Sequence, residues 1–492
     1  MTRDDAPSRS VVAIFVACSL PMFMAGLDNL VVVTSLTVIR VDLDADAAHL
    51  QWISTAYIVA FAGLLLVAAG LGDRWGRRRV FTAGIVLFTA ASLACGLADT
   101  VGQLIAARAV QGVGAAMLTP LSLTILAGAV PGHRRGLAIG LWSAANGAAI
   151  SLGPLAGGAV ADGLDWRWVF WINVPIGLLA VVLARRWLPE SRLPETRIDI
   201  AGMALACGSI VAGIWAVVNG HERGWTDPAV LTTGVLAVLL AVAFVSWERR
   251  TTVPLLPPRL YRIRAFTLTN VVSLCMHFGV FGSIFLLAQL LQVAYGYGPL
   301  DAGLRTMVWT IMPMLVAPLA GIFTQRIGGG RLMAAGLALQ ATGLAWIAAI
   351  AAPGQPFAEI VGPMVVAGTG MGLVFAPTAA VVLAAVRPEE HGRASGANTT
   401  VREFGGALGI AVLGTVFQAR GGYDDPQRFV DGVVAALWVG VPVVAAGAVV
   451  ALLIPRGAGQ VSDPSAAAVA PGGAADSAIG TDDALPTQVR PG

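Results

Sequence analysis

Lysine is absent from this 492-residue chain, so all 31 of its basic residues are arginine. That bias is a mark of genome composition more than of chemistry. Charge of either sign is scarce: 12% of residues are charged and 57% are hydrophobic, against about a quarter charged in a soluble domain. With a mean hydropathy of +0.77, the chain reads as an all-α integral membrane protein. Its net charge of +3 is small and its arginines are spread over loops, which excludes a nucleic-acid binder, for which one basic stripe is needed. Cysteine is rare too. Cys18, Cys95, Cys207 and Cys275 all lie inside apolar runs without CxxC spacing, so they read as small buried hydrophobes and no disulfide or metal site is expected. His49, His133, His221, His277 and His391 are scattered. No convergent group of His, Ser or Cys marks a membrane-bound enzyme, and no cofactor is expected. The first apolar run is too long for a removable signal peptide and lacks its small-residue cleavage site.

What the chain has instead is long apolar runs. They fall at Val11–Leu36, Gln51–Gly70, Val80–Ala98, Val101–Val130, Gly136–Ala161, Trp168–Trp187, Ile200–Asn219, Pro228–Trp247, Ala265–Tyr295, Pro299–Thr324, Leu332–Ala351, Pro356–Val386, Ala394–Gln418 and Val430–Ile454. Each is near or above the roughly 20 residues a helix needs to cross a bilayer core of about 30 Å. Fourteen spans follow. Alternate loops carry most of the arginine, including Arg74, Arg77, Arg78, Arg79, Arg134, Arg135, Arg185, Arg186, Arg249, Arg250, Arg326, Arg331, Arg387 and Arg393; the opposite loops hold Arg40, Arg167, Arg223, Arg420 and Arg428, mostly among acidic residues. By the positive-inside rule the first set is cytoplasmic, and an even number of spans puts both termini there as well.

The charged loops Pro189–Asp199 and Arg249–Arg264 divide the spans into six, two and six. The expected organisation is a cytoplasmic N-terminus (1–10), an N-terminal six-helix bundle (11–188), two linker helices with flanking loops (189–264), a C-terminal six-helix bundle (265–455) and a cytoplasmic tail (456–492). The tail is rich in Ala, Pro, Gly, Ser and Asp, and such a composition buries too little surface to fold.

Between the second and third runs lies Gly70-Leu71-Gly72-Asp73-Arg74-Trp75-Gly76-Arg77-Arg78-Arg79. It is expected to form a tight turn at the membrane surface, with Gly70, Gly72 and Gly76 admitting close packing and Asp73 near the start of the next helix, where a carboxylate is favoured.

Polar groups inside the runs are the candidates for mechanism. Asp28 lies deep in the first span, where ionisation is costly, so its carboxyl can load and release a proton or contact a cationic substrate. Arg108 in the fourth span cannot shed its charge and must find a carboxylate or carbonyls inside the bundle. Gln111 follows one turn along. In the thirteenth span Arg402 and Glu403 are neighbours that do not face each other on a helix, and Glu403 is a second candidate proton group. His277 and Arg305 suit structural hydrogen bonding; Trp52, Trp142, Trp309 and Trp346 suit interfacial anchoring or core packing. In the fifth span a groove of small residues, with Gly153, Pro154, Gly157 and Gly158, can kink and press on a neighbouring helix.

These segments together resemble the signature set of the major facilitator superfamily. Gly70…Asp73-Arg74…Gly76-Arg77-Arg78 is similar to its loop between helices two and three, Arg108…Gln111-Gly112…Gly114 to its helix-four motif, and Gly153-Pro154…Gly157-Gly158 to the helix-five motif of antiporters. Fourteen spans, Asp165-Trp166-Arg167-Trp168…Asn173-Val174-Pro175-Ile176-Gly177 and Arg402…Gly405-Gly406-Ala407-Leu408-Gly409 narrow the resemblance to the drug:proton antiporter branch with fourteen helices. Two places depart from it: Leu30, Val33 and Thr37 stand at polar or proline positions of its first-helix motif, and the second-half copy of the loop, Gly321…Gln325-Arg326…Gly328, lacks the Asp.

The resemblance implies two six-helix bundles plus two extra helices, rocking about a central cavity. It further implies a monomeric plasma-membrane multidrug or small-molecule exporter, acting on lipophilic or cationic compounds and driven by protons, with Asp28 and Arg108 exchanging proton for substrate and Asp73 latching the halves. A dedicated exporter of one metabolite, antibiotic or lipid is the alternative, and a non-transporting receptor or enzyme a second one.

Overall fold

The structure is a computed structural model that describes residues 8–45, 47–161, 165–192, 199–252, 254–422 and 425–455. The expected tail at 456–492 lies outside the described residues, as do residues 1–7 of the N-terminus. The described chain is helical: α1 (Ser8–Asp42), α2 (Ala47–Trp75), α3 (Arg77–Gly96), α4 (Val101–Ala129), α5 (Gly132–Ala161), α6 (Trp168–Trp171), α7 (Asn173–Trp187), α8 (Ile200–Arg223), α9 (Pro228–Glu248), α10 (Arg264–Gln289), α11 (Pro299–Thr310), α12 (Met312–Ile327), α13 (Gly329–Ile350), α14 (Phe357–Ala384), α15 (His391–Arg420) and α16 (Pro426–Leu452). Among the described residues fourteen stretches are long and apolar enough to cross a membrane. Helix is what apolar sequence must form there, because lipid offers no partner for an unpaired backbone group.

Polar residues just outside the spans cap the ends. The Asp227 carboxylate accepts from the Ala229 and Val230 amides ahead of α9, and Asp425 accepts from the Arg428 amide ahead of α16. Each is followed by proline at the first helical position, where a missing N–H costs nothing.

Two expected spans are broken once each. The sixth is α6 plus α7, interrupted at Ile172, and the tenth is α11 plus α12, interrupted at Ile311. In both, a proline just beyond the break, Pro175 and Pro313, has no N–H for the carbonyl four residues back, Trp171 and Trp309.

The expected surface turn at 70–79 is not a loop. α2 runs on through Gly70, Gly72 and Asp73 to Trp75, and α3 begins two residues later. Gly76 is the whole connection, at φ 105°, ψ 126°, a left-handed conformation open to glycine. A Cβ there would also sit 2.6 Å from Glu190 Oε1. Asp73 therefore ends α2, whereas the start of α3 was expected. The second-half copy keeps this geometry without its acid: Gly328 joins α12 to α13 at φ 94°, ψ 137°.

Packing separates into several apolar clusters. One gathers Met276, Trp309, Leu337, Met364, Phe417 and Leu437 from α10–α16. Another gathers Met24, Phe81, Phe88, Leu118, Leu126 and Trp142 from α1–α5, reaching Leu383 of α14. A further cluster ties Ala206 of α8 to Leu66 of α2, Phe266 of α10 and Ala394 of α15. Only 6% of the α9 span is buried, so that helix presents most of its surface to lipid. Because lipid is as apolar as the helices, association rests on close packing of small residues. Gly112 of α4 shows how close: a Cβ there would collide with the Tyr57 carbonyl of α2. Gly112→Ala is expected to lower stability by about 1–3 kcal/mol, whereas Gly102→Ala, with nothing within 4 Å of the added atom, is expected to be tolerated; thermal unfolding in detergent compares the two.

Candidate functional site

The i, i+3 spacing of Arg108 and Gln111 puts both on one face of α4, aimed at α1. Arg108 Nη1 donates to Asp28 Oδ2 at 2.6 Å and to Gln111 Oε1 at 2.6 Å. Gln111 Nε2 donates to Asp28 Oδ1 at 2.9 Å and to Ser92 Oγ at 2.7 Å. Asn173, the first residue of α7 after the break, donates from Nδ2 to Asp28 Oδ1 at 2.8 Å. Arg108 is fully buried and Asp28 is 2% exposed. Arg108 Nε reaches the Ile53 carbonyl at 3.3 Å, and its guanidinium lies 4.2 Å from the centroid of the Tyr57 ring. The structure thus brings together the three residues expected in the first and fourth spans and adds Ser92, Asn173 and Tyr57. Asn173 stands in the quoted Asn-Val-Pro-Ile-Gly segment; Ser92 and Tyr57 are of types common in membrane helices and gave no signal. The side chains at Leu30, Val33 and Thr37 fall outside the described residues.

Tyr57 also lines a cavity of about 90 Å³, together with Met22, Gly26, Asn146, Phe281 and Glu403. Asp28 is not among the lining residues. Tyr57 is therefore shared between the buried ion pair and the cavity. Arg402 lines the cavity too, and its Nε donates to His277 Nε2 at 2.9 Å. His277 Nδ1 lies 2.9 Å from the Ser273 carbonyl, so the ring is a neutral imidazole protonated on Nδ1. No hydrogen bond or ion pair reaches Glu403 among the described residues.

Where α2 meets α3, Asp73 Oδ1 accepts from Arg77 Nε at 3.0 Å and Nη2 at 2.9 Å. Its Oδ2 faces Arg393 Nε of α15 at 3.8 Å, an ion pair too long for a hydrogen bond. Arg393 Nη1 donates to the Pro254 carbonyl at 3.2 Å. Arg78 and Arg79 instead pair with Glu190, each at 3.7 Å; Arg74 is exposed. Beyond the first apolar run, Asp42 accepts from Trp166 Nε1 and Arg167 Nη1, both at 2.9 Å. These two contacts hold its carboxyl below the usual carboxylate range.

α5 lies against α12 through small residues: Gly147 of the expected groove meets Pro313 and Met314, and the contact continues toward the start of the helix. A Cβ at Gly140 would come 2.8 Å from the Ala317 carbonyl, and one at Gly136 would come 2.6 Å from that of Gly321. Ser151 donates to the Thr310 carbonyl of α11. Gly153 and Gly157 are buried further along, while the side chains at Pro154 and Gly158 fall outside the described residues. Arg305 pairs with Asp301 at 3.1 Å and covers the Tyr297 ring at 3.7 Å, as expected of a structural arginine. Trp142 and Trp309 are buried, and Trp52 and Trp346 are exposed. All four cysteines are free.

Removing one member of a buried ion pair leaves the other uncompensated and costs about 3–5 kcal/mol. Asp28→Asn and Arg108→Gln are each expected to destabilise by that order, and the double variant by clearly less than their sum; unfolding of the three purified variants measures the coupling.

The model of the Major Facilitator Superfamily matches residues 18–410 and again 269–479. The cephamycin export protein CmcT of Amycolatopsis lactamdurans is 37% identical over 426 residues, covering 84% of this chain and 86% of that one. The methylenomycin A resistance protein of Streptomyces coelicolor is 33% identical over 423 residues, covering 86% and 88%. The human organic anion transporter MFSD10 (TETRAN) shares the fold at a TM-score of 0.66 and 14% identity, covering 91% of this chain and 100% of that one. With fourteen apolar spans among the described residues, paired polar groups in their interior and a family match across most of its length, this multi-pass membrane protein belongs to the Major Facilitator Superfamily of transporters.

Proposed function

We propose that the chain is a plasma-membrane exporter that expels a lipophilic or cationic small molecule in exchange for protons, by alternating access of two six-helix bundles, 11–188 and 265–455, about the cavity. Both termini are assigned to the cytoplasm and the working unit is a monomer. Relatives named for export and for antibiotic resistance support the direction.

The observation that carries the coupling is Tyr57, whose ring lies on the guanidinium of Arg108 while it also lines the cavity. A proton on Asp28 cancels the charge that holds Arg108. The guanidinium is then free to shift, and Tyr57 shifts with it. An occupant that fixes Tyr57 favours the paired, unprotonated state, so occupancy and protonation oppose each other through one contact. Asp73 and Arg393, on α2 and α15, hold the two bundles together at the arginine-rich side and part when that side opens. Relatives named for single compounds, cephamycin and methylenomycin A, favour a dedicated exporter as the second reading.

Inverted vesicles test the reading. An imposed proton gradient is expected to drive uptake of a fluorescent cation by wild type, and Asp28→Asn is expected to fall to the level of empty vesicles. Normal uptake by the variant would move the proton site to Glu403; a wild type that moves none of a broad cation panel would favour the dedicated exporter.

A further inference from the structure

Arg402 and Glu403 occupy successive positions of α15, about 100° apart around the helix, yet both line the same cavity. Neither is neutralised by an ion pair among the described residues. Arg402 Nε meets only the neutral His277 ring at 2.9 Å, and Glu403 receives no hydrogen bond. This contrasts with the other charges in the same region of the spans: Asp28 and Arg108 are paired at 2.6 Å. The two charges act on each other electrostatically without forming an ion pair, and a group that carries both signs can give each of them the direct charge-assisted contact they do not make with one another.

Aromatic surface completes the chamber. Tyr57, Phe61, Phe281 and Phe375 form its walls, and Asn146 and Thr399 add hydrogen-bonding groups. Such walls suit a flat conjugated body.

We infer that the transported substrate is amphoteric: a planar molecule bearing a cationic centre that meets Glu403 and an anionic group that meets Arg402. A cation alone would contact only Glu403 and an anion alone only Arg402; a molecule carrying both contacts each charge directly. An occupant larger than the cavity of about 90 Å³ enters when the bundles part. The inference rests on reading the cavity as the substrate site of the exporter. Equilibrium binding needs no proton gradient, so its outcome and that of the vesicle assay are independent.

The test uses three dyes on one tricyclic skeleton: rhodamine 110, which carries both charges, its methyl ester rhodamine 123, which is a cation, and fluorescein, which is an anion. Fluorescence anisotropy with the purified full-length protein is expected to show rhodamine 110 binding about tenfold tighter than either, the size of one charge-assisted hydrogen bond. Arg402→Gln is expected to erase the advantage over rhodamine 123 and Glu403→Gln the advantage over fluorescein. Arg402→Lys, which retains the charge, is expected to keep the preference and serves as the control for folding. Equal binding of the three dyes, binding of none, or preferences unchanged in the two neutral variants would overturn the inference.

Discussion

The ion pair between Asp28 and Arg108 is the constraint on which the interior of the first seven helices depends. An arginine held in a bilayer cannot become neutral, and its burial is tolerable only beside a carboxylate whose remaining lone pairs are also filled. That requirement recruits Gln111 from the same helix face, Asn173 from the start of α7 and Ser92 from α3, each by a hydrogen bond no longer than 2.9 Å to Asp28 or Gln111. α4 and α7 donate to this carboxylate of α1 directly, and α3 joins the network through Ser92. Changing its charge changes all of them, which makes the same group suitable as a switch.

Rigid contact elsewhere gives such a change somewhere to act. The glycine contact of α4 on α2 leaves no room for a side chain, so these two helices move as a packed pair and do not deform singly. The Asp73 and Arg393 contact is longer and bridges α2 to α15 at 3.8 Å. Tight packing of α4 on α2 holds the first bundle together, whereas the two bundles meet at the small-residue face of α5 on α12 and at this long ion pair, contacts that a rocking motion must slide or part.

The number of spans was legible because a bilayer forces every crossing stretch to be apolar and helical. Their interruptions were not: Pro175 and Pro313 interrupt a run without changing its hydropathy, and Gly76 turns an expected loop into a single residue. Asp28, Arg108 and Gln111 were legible for the opposite reason, since ionisable groups in apolar runs are rare and must find partners. Tyr57 and Ser92 were hidden because tyrosine and serine are ordinary in such runs, and only three-dimensional placement distinguishes them. The α5 groove continues toward the start of the helix, where Gly136 and Gly140 join Gly147 against α12, an extension that spacing alone does not reveal.

The central claim is that a proton on Asp28 and an occupant of the cavity oppose each other although the two do not touch. Proton release on binding tests it directly: rhodamine 110 is added to purified protein in a weakly buffered solution containing a pH indicator. The account predicts that wild type releases protons as the dye binds, and that Asp28→Asn still binds the dye but releases none. Equal release from the variant would contradict it.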